Sequence, residues 1–109
     1  MQIINQTRKT TLSKNIIIPT SLLDQSLGLL KYPVPTAMLL KTRYGIHTFG
    51  MKYPIDILIL DKQNNIVSIK ENLKPNNIFV WNIKYETVLE LPAGTIRKTQ
   101  TKLNDHLKI

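Results

Sequence analysis

Ile46-His47-Thr48-Phe49-Gly50-Met51-Lys52-Tyr53-Pro54-Ile55-Asp56-Ile57-Leu58-Ile59-Leu60-Asp61 is the stretch whose reading decides the fold. Ile46–Phe49 is extended in character. Gly50 and Tyr53-Pro54 then impose a kink, because proline fixes its own φ and restricts the residue before it. The run Ile57-Leu58-Ile59-Leu60 is apolar at every position. A half-buried strand would alternate, so this one is expected to be covered on both faces and to lie inside a sheet. His47, Lys52 and Asp56 gather three titratable side chains around the kink.

Working outward, the turn Lys62-Gln63-Asn64-Asn65 suits a hairpin, since asparagine tolerates positive φ. Ile66–Glu71 is expected to pair back, with Ile66 and Ser68 on one face and Val67 and Ile69 on the other. On the N-terminal side, Gln2–Gln6 reads as a short strand, Thr7–Thr11 as a polar turn, and Asn15–Ile18 as a β-branched strand stopped by Pro19. Ser21 and Asp24 resemble a capping box. Leu22, Leu23, Leu27, Leu29 and Leu30 form an apolar stripe at near-helical spacing, so one short amphipathic helix is expected over about residues 21–31, ended before Tyr32-Pro33. Ala37–Lys41 should be a strand with Met38 and Leu40 opposed to Leu39. Leu73–Asn77 is a loop, Phe79–Trp81 an extended piece with two aromatics on one face, and Glu86–Leu91 a strand. Thr95–Thr99 is a helical turn, and Asp105–Ile109 a terminal strand. Many short strands with one early helix predict a mainly β domain of α+β character, a small antiparallel β-sandwich or partial barrel. With no repeat, linker or low-complexity tract, residues 1–109 form a single domain.

Composition bounds the function. An apolar content of 42% belongs to a globular chain rather than a disordered one. The chain has no cysteine, which excludes disulfides, thiolate nucleophiles and Cys-ligated zinc. Only His47 and His106 are available as imidazole ligands, so no metal centre is expected, and no phosphate loop or dinucleotide fingerprint implies a cofactor. The N-terminus lacks a signal-peptide pattern, and the apolar runs fall far short of the ~20 residues of a membrane helix. A soluble cytoplasmic protein is the expectation. The net charge of +8 raises nucleic-acid binding. Against it, the charge comes from twelve lysines and three arginines scattered from Arg8 to Lys108, and arginine is the side chain suited to bidentate phosphate and guanine contacts.

A resemblance rests on Thr7, Leu27-Gly28-Leu29-Leu30, the string Ile46–Asp56 and Val88-Leu89-Glu90-Leu91-Pro92-Ala93-Gly94-Thr95. In this order they resemble the bacterial and archaeal domain-of-unknown-function 192 family over nearly the whole chain. The resemblance implies a small β-rich sandwich and supplies no reaction. Where the family usually continues Gly-Leu-Leu with Gly-Arg, this chain has Lys31-Tyr32. Where the family tends to Gly-Asp near the C-terminus, it has Asn104-Asp105.

Asp56 shares a strand face with Leu58 and Leu60, and a carboxylate there needs partners. Backbone N–H groups would make it a folding device; His47, Lys52 or Arg43 would make it part of a pocket. Glu90, alternating with leucines, reads as an exposed or rim residue, with Arg97 or Lys52 as a partner. Pro92-Ala93-Gly94-Thr95 reads as a turn into the helical piece, with Thr95 as cap or Gly-Thr as an anion holder. The favoured function is a non-catalytic binding or accessory module. Its ligand-binding face, near residues 47–56, would use His47, Met51, Lys52, Asp56, Trp81 and Glu90 for a small polar ligand or a peptide. The alternative is a small enzyme with His47 and Asp56 as a proton-transfer pair. Charge-driven nucleic-acid binding comes third.

Overall fold

A computed structural model of the chain describes residues 2–18 and 37–109. The expected helix at about residues 21–31 lies outside the described residues, as do Pro19 and Lys31-Tyr32. The strands are β1 (Ile3–Asn5), β2 (Thr10–Ser13), β3 (Ile16–Ile17), β4 (Ala37–Lys41), β5 (Ile46–His47), β6 (Ile55–Leu60), β7 (Ile66–Leu73), β8 (Ile78–Phe79), β9 (Thr87–Pro92) and β10 (Leu107–Lys108), with one short helix, α1 (Thr95–Lys98), between β9 and β10.

Among the described residues the strands form three sheets. The largest has the order β3-β4-β9-β6-β7, a three-stranded sheet runs β10-β1-β2, and β5 pairs with β8 as a ribbon. All pairings are antiparallel except β3 with β4. The five-stranded sheet is the middle layer. Leu58, Leu60, Leu89 and Leu91 face Ile3, Leu12 and Leu107 of the three-stranded sheet, together with Ile96 of α1. On the opposite face Met38, Leu40, Ile55, Ile57, Ile59 and Val88 pack with Met51, and Ile46, Phe79, Trp81 and Tyr85 of the ribbon region close over them.

Two covers explain why β6 does not alternate: all six of its residues are buried. Each buried leucine or isoleucine contributes about 1.5–3 kcal/mol of transfer free energy, so this strand anchors both apolar layers. Strand β4 behaves as its alternation predicts, Met38 and Leu40 on the ribbon side and Leu39 against the other layer.

Three local expectations need correction. Thr10 and Thr11, expected within the polar turn, instead open strand β2 (Thr10–Ser13). In β7 the expected faces are rearranged, because Leu60 pairs with Ile66 while Ile59 pairs with Ser68, leaving Val67 as an extra residue. That bulge puts Val67 on the ribbon side and lets Ile66 and Ile69 share the opposite layer. A second irregularity lies between the pairs Ile55–Leu73 and Ile57–Lys70, with Asn72 at φ 53°. Finally, Glu90 is buried, with 5% of its surface exposed.

Asn104 has φ 72°. This left-handed backbone is held by asparagine, a non-glycine residue that tolerates it well.

Candidate functional site

The kink is built around Thr48, which is fully buried. Its Oγ1 donates to the Lys74 carbonyl at 2.6 Å and accepts from the Asn77 amide at 3.0 Å. Its own amide donates to the Asn77 carbonyl, and its carbonyl accepts from Met51 and Asn76. Residues 48–51 are thereby tied to the loop before β8, and Met51 is carried into the apolar layer beneath. Gly45 turns the chain into β5 at φ 97°, where a Cβ would lie 2.9 Å from the Phe79 carbonyl oxygen and from Val80 Cγ1.

His47 lies on the outer side of this ribbon and is exposed. Its ring stacks on Phe49, with centroids 5.0 Å apart, and its Nδ1 accepts the Phe49 amide at 3.2 Å. Lys52 is also exposed.

Asp56 points the other way, into the layer of Leu58 and Leu60, and is fully buried. Its Oδ1 accepts from the Asn72 amide at 2.8 Å, and its Oδ2 from the Gly94 and Ile96 amides at 3.1 and 2.9 Å. A single carboxylate thus fastens the second irregularity of β7 and the start of α1. Gly94, at φ 93°, is the N-cap of α1, and no side chain of the cap residue bonds the helix. Thr95 does not cap; its hydroxyl donates to the Pro92 carbonyl at 2.7 Å. The Gly94 amide, already engaged by Asp56, is not offered to an external anion. Neither His47 nor Lys52 nor Arg43 is among the hydrogen-bond partners of Asp56.

Glu90 occupies the opposite face. The register Met38–Glu90–Ile57 across β4, β9 and β6 sets its side chain between those of Met38 and Ile57, in the layer that Met51, Tyr53 and Trp81 share. Among the described residues its carboxylate makes no hydrogen bond and no ion pair; Arg97 and Lys52 do not reach it. Loss of solvent pushes its pKa up from the ordinary 4.5 to about 7. Tyr53 is close enough to respond: burial, then the charge of Glu90, raises its phenol. Trp81 stands at the edge of the same layer, half-buried, with Nε1 donating to the Tyr85 carbonyl at 2.8 Å and its ring tilted against Phe79 at 5.8 Å.

The residues singled out in the sequence therefore divide. Met51, Trp81 and Glu90 share the ribbon side of the central sheet, His47 and Lys52 are exposed around the kink, and Asp56 is enclosed on the other side. Asp61 belongs to neither face; despite some desolvation, the Asn65 and Gln63 amides hold its carboxyl below the usual range within the β6–β7 turn. Sequence reasoning gave no role to Thr48, nor to Asn5 and Asp105, all of which are buried. Asp105 accepts from Asn5 Nδ2, Arg8 Nε and the Lys102 amide at 2.9, 3.0 and 2.9 Å. Burial opposes its ionisation, yet these bonds and the Arg8 charge keep its carboxyl below the usual range. Among the described residues no three His, Asp or Glu side chains converge to hold a metal ion, and no helix is long and apolar enough to cross a membrane.

A three-layered β domain with a buried, amide-bound aspartate on one side of its central sheet and a desolvated glutamate on the other is a compact scaffold class, not a signature of one reaction. Residues 4–109 match the domain-of-unknown-function 192 family, described as an uncharacterized ACR, and the chain belongs to that family. Two solved structures have the same fold. One is a putative transcription regulator from Sinorhizobium meliloti 1021, with TM-score 0.76, 21% identity, and coverage of 98% of this chain and 89% of that one. The other is a protein of unknown function from Novosphingobium aromaticivorans DSM 12444, with TM-score 0.76, 13% identity, and coverage of 99% and 82%. At these identities the similarity is one of fold. A segment of the glycine–tRNA ligase beta subunit of Pseudomonas syringae pv. syringae (strain B728a) is 29% identical over 94 residues, 82% of this chain and 13% of that subunit. The chain thus spans about an eighth of the length of that curated relative.

Proposed function

We propose that this protein is a non-catalytic binding module whose ligand-binding face is the ribbon side of the central sheet. Met51, Trp81 and Glu90 form the inner part of the site, and His47 and Lys52 lie toward its outside. Asp56 supports it from the far face by holding β6, β7 and α1 in register. The observation that carries this reading is the Glu90 carboxylate, buried between Met38 and Ile57 without a hydrogen bond among the described residues. A carboxylate buried in an apolar wall without a partner among the described residues is costly to ionise, and a ligand that donates to it recovers that cost on binding. The matching ligand is a small polar molecule carrying a hydrogen-bond donor. An ammonium group is the strongest case, since Trp81 and Tyr53 add aromatic surface favourable to cations.

The chain has one tryptophan, so fluorescence reports directly on this site. Titration with methylammonium and benzylamine at pH 8, both carrying N–H donors, is expected to change Trp81 emission saturably, and Glu90→Gln to abolish the response. Equal responses in wild type and Glu90→Gln, or none in either, would remove the reading. The near-neutral pKa of Glu90 favours one second reading, an enzyme in which Glu90 moves the proton in place of His47 and Asp56. Its mark would be turnover with a pH midpoint near 7 that disappears in Glu90→Gln.

A further inference from the structure

On the far side of the molecule from Glu90, a cavity of about 510 Å³ opens between the residue 6–9 turn and the segment following α1. Arg8, Arg97 and Lys102 line it together with Gln100 and Thr101, and Glu71 is the one acidic residue in the lining. Asp105 ion-pairs with Arg8 from behind, so three cations stand against two carboxylates, Glu71 and Asp105, and a concavity of ligand size with a net positive charge suits an anion.

The site is also braced. Arg8 Nε donates to Asp105 Oδ2 at 3.0 Å, and that carboxylate, 2% exposed, is itself fixed by Asn5 and the Lys102 amide. The Arg8 amide donates to Asn5 Oδ1 at 3.1 Å, and Asn5 Nδ2 reaches Thr101 Oγ1 at 3.1 Å. A guanidinium offers five N–H donors. Among the described residues only the Nε donor is used, so the remaining four are held on a plane oriented from below. The side chains of Arg97 and Lys102 make no hydrogen bond or ion pair among the described residues. Both border the same space as Arg8.

We propose that this cavity is an anion site that takes the phosphate group of a small phosphorylated molecule. Arg8 is its fixed donor, with Arg97 and Lys102 closing on the other phosphate oxygens. Phosphate suits this set better than a single carboxylate, because its oxygens are spread tetrahedrally and can be met from three directions by a planar fork and mobile cations. The volume exceeds what a bare phosphate fills, leaving room for the body of the molecule, and Gln100 and Thr101 supply polar contacts for it. This inference is independent of the Glu90 site.

The test is amide chemical-shift mapping of the full chain during titration with inorganic phosphate and, separately, ribose 5-phosphate, at low salt. The expected result is saturable shifts at residues 8 and 97–102, with the sugar phosphate the tighter of the two. Arg97→Gln and Lys102→Gln should each weaken binding about tenfold, the scale of one charge-assisted hydrogen bond. Lys108→Gln, which removes the same charge from β10 outside the cavity, should leave affinity unchanged. Equal weakening by Lys108→Gln, or unsaturable shifts spread over all lysine-bearing surfaces, would show general charge attraction and overturn the proposal. Citrate binding more tightly than ribose 5-phosphate would overturn the assignment to phosphate.

Discussion

Replacing Asp56 by alanine removes one acceptor group from three backbone amides at once. The Ile96 amide is buried and has no water to turn to, so its loss carries the full penalty of an orphaned donor, about 2 kcal/mol. The Asn72 and Gly94 amides belong to exposed residues and regain water. Losing their charge-assisted bonds costs a further ~1 kcal/mol each. The expected destabilisation is about 4 kcal/mol, a large part of the roughly 5–15 kcal/mol of a whole domain. In urea this is a fall in midpoint of roughly 2–3 M at an ordinary slope. Hydrogen exchange at the Ile96 amide should accelerate beyond the global loss, because α1 is released from β6. Asp56→Asn, which keeps the shape and one acceptor oxygen, should fall between wild type and Asp56→Ala. A change below about 1 kcal/mol, with Ile96 still protected, would refute the reasoning and show that α1 and the β7 irregularity hold themselves.

Glu90 gives a prediction of opposite sign. Its folded pKa, about 7, lies above the ordinary 4.5. Between those values the folded chain keeps a proton that the unfolded chain has lost, so stability falls as pH rises through this window and levels off above it, a total of about 3 kcal/mol. Glu90→Gln should therefore match wild type near pH 4 and exceed it progressively up to pH 8 in paired urea titrations; a pH-independent difference would count against the buried carboxylate. Thr48→Val leaves the Lys74 carbonyl and Asn77 amide without their hydroxyl partner and should cost about 1–3 kcal/mol, with exchange rising first at Asn77. Gly94→Ala meets no neighbour within 4 Å but must hold φ 93°, so thermal denaturation should show a loss of about 1–2 kcal/mol; neutrality would mean that the turn relaxes.

Sequence was informative where one short-range rule decides the outcome. The unbroken apolar run of β6 implied two covers, the opposition of Met38 and Leu40 to Leu39 gave the faces of β4, and Gly94 marked the turn into α1. The sequence was silent where distant segments decide. Alternation correctly sets Glu90 on a different face from Leu89 and Leu91. It carries no sign that Ile46 and Phe79, 44 and 11 residues earlier in the chain, bring a second layer over that face. The partners of Asp56 lie 16, 38 and 40 residues away, so proximity in sequence pointed to His47 and Lys52. The bulge at Val67 inserts one residue into the β6–β7 pairing, which is invisible to period-two counting but reverses the faces beyond it. Asn5 and Asp105 meet across almost the entire chain, and nothing local in either segment announces it.

The central claim is that Glu90 is a desolvated carboxylate waiting for a donor from a ligand. A carboxyl-detected carbon-13 titration of Glu90 tests it most directly, run first on the free protein and then with saturating methylammonium. The account predicts a midpoint near 7 in the free protein, moving downward when the bound cation favours the ionised form. A midpoint at the ordinary 4.5 that the cation leaves in place would contradict it.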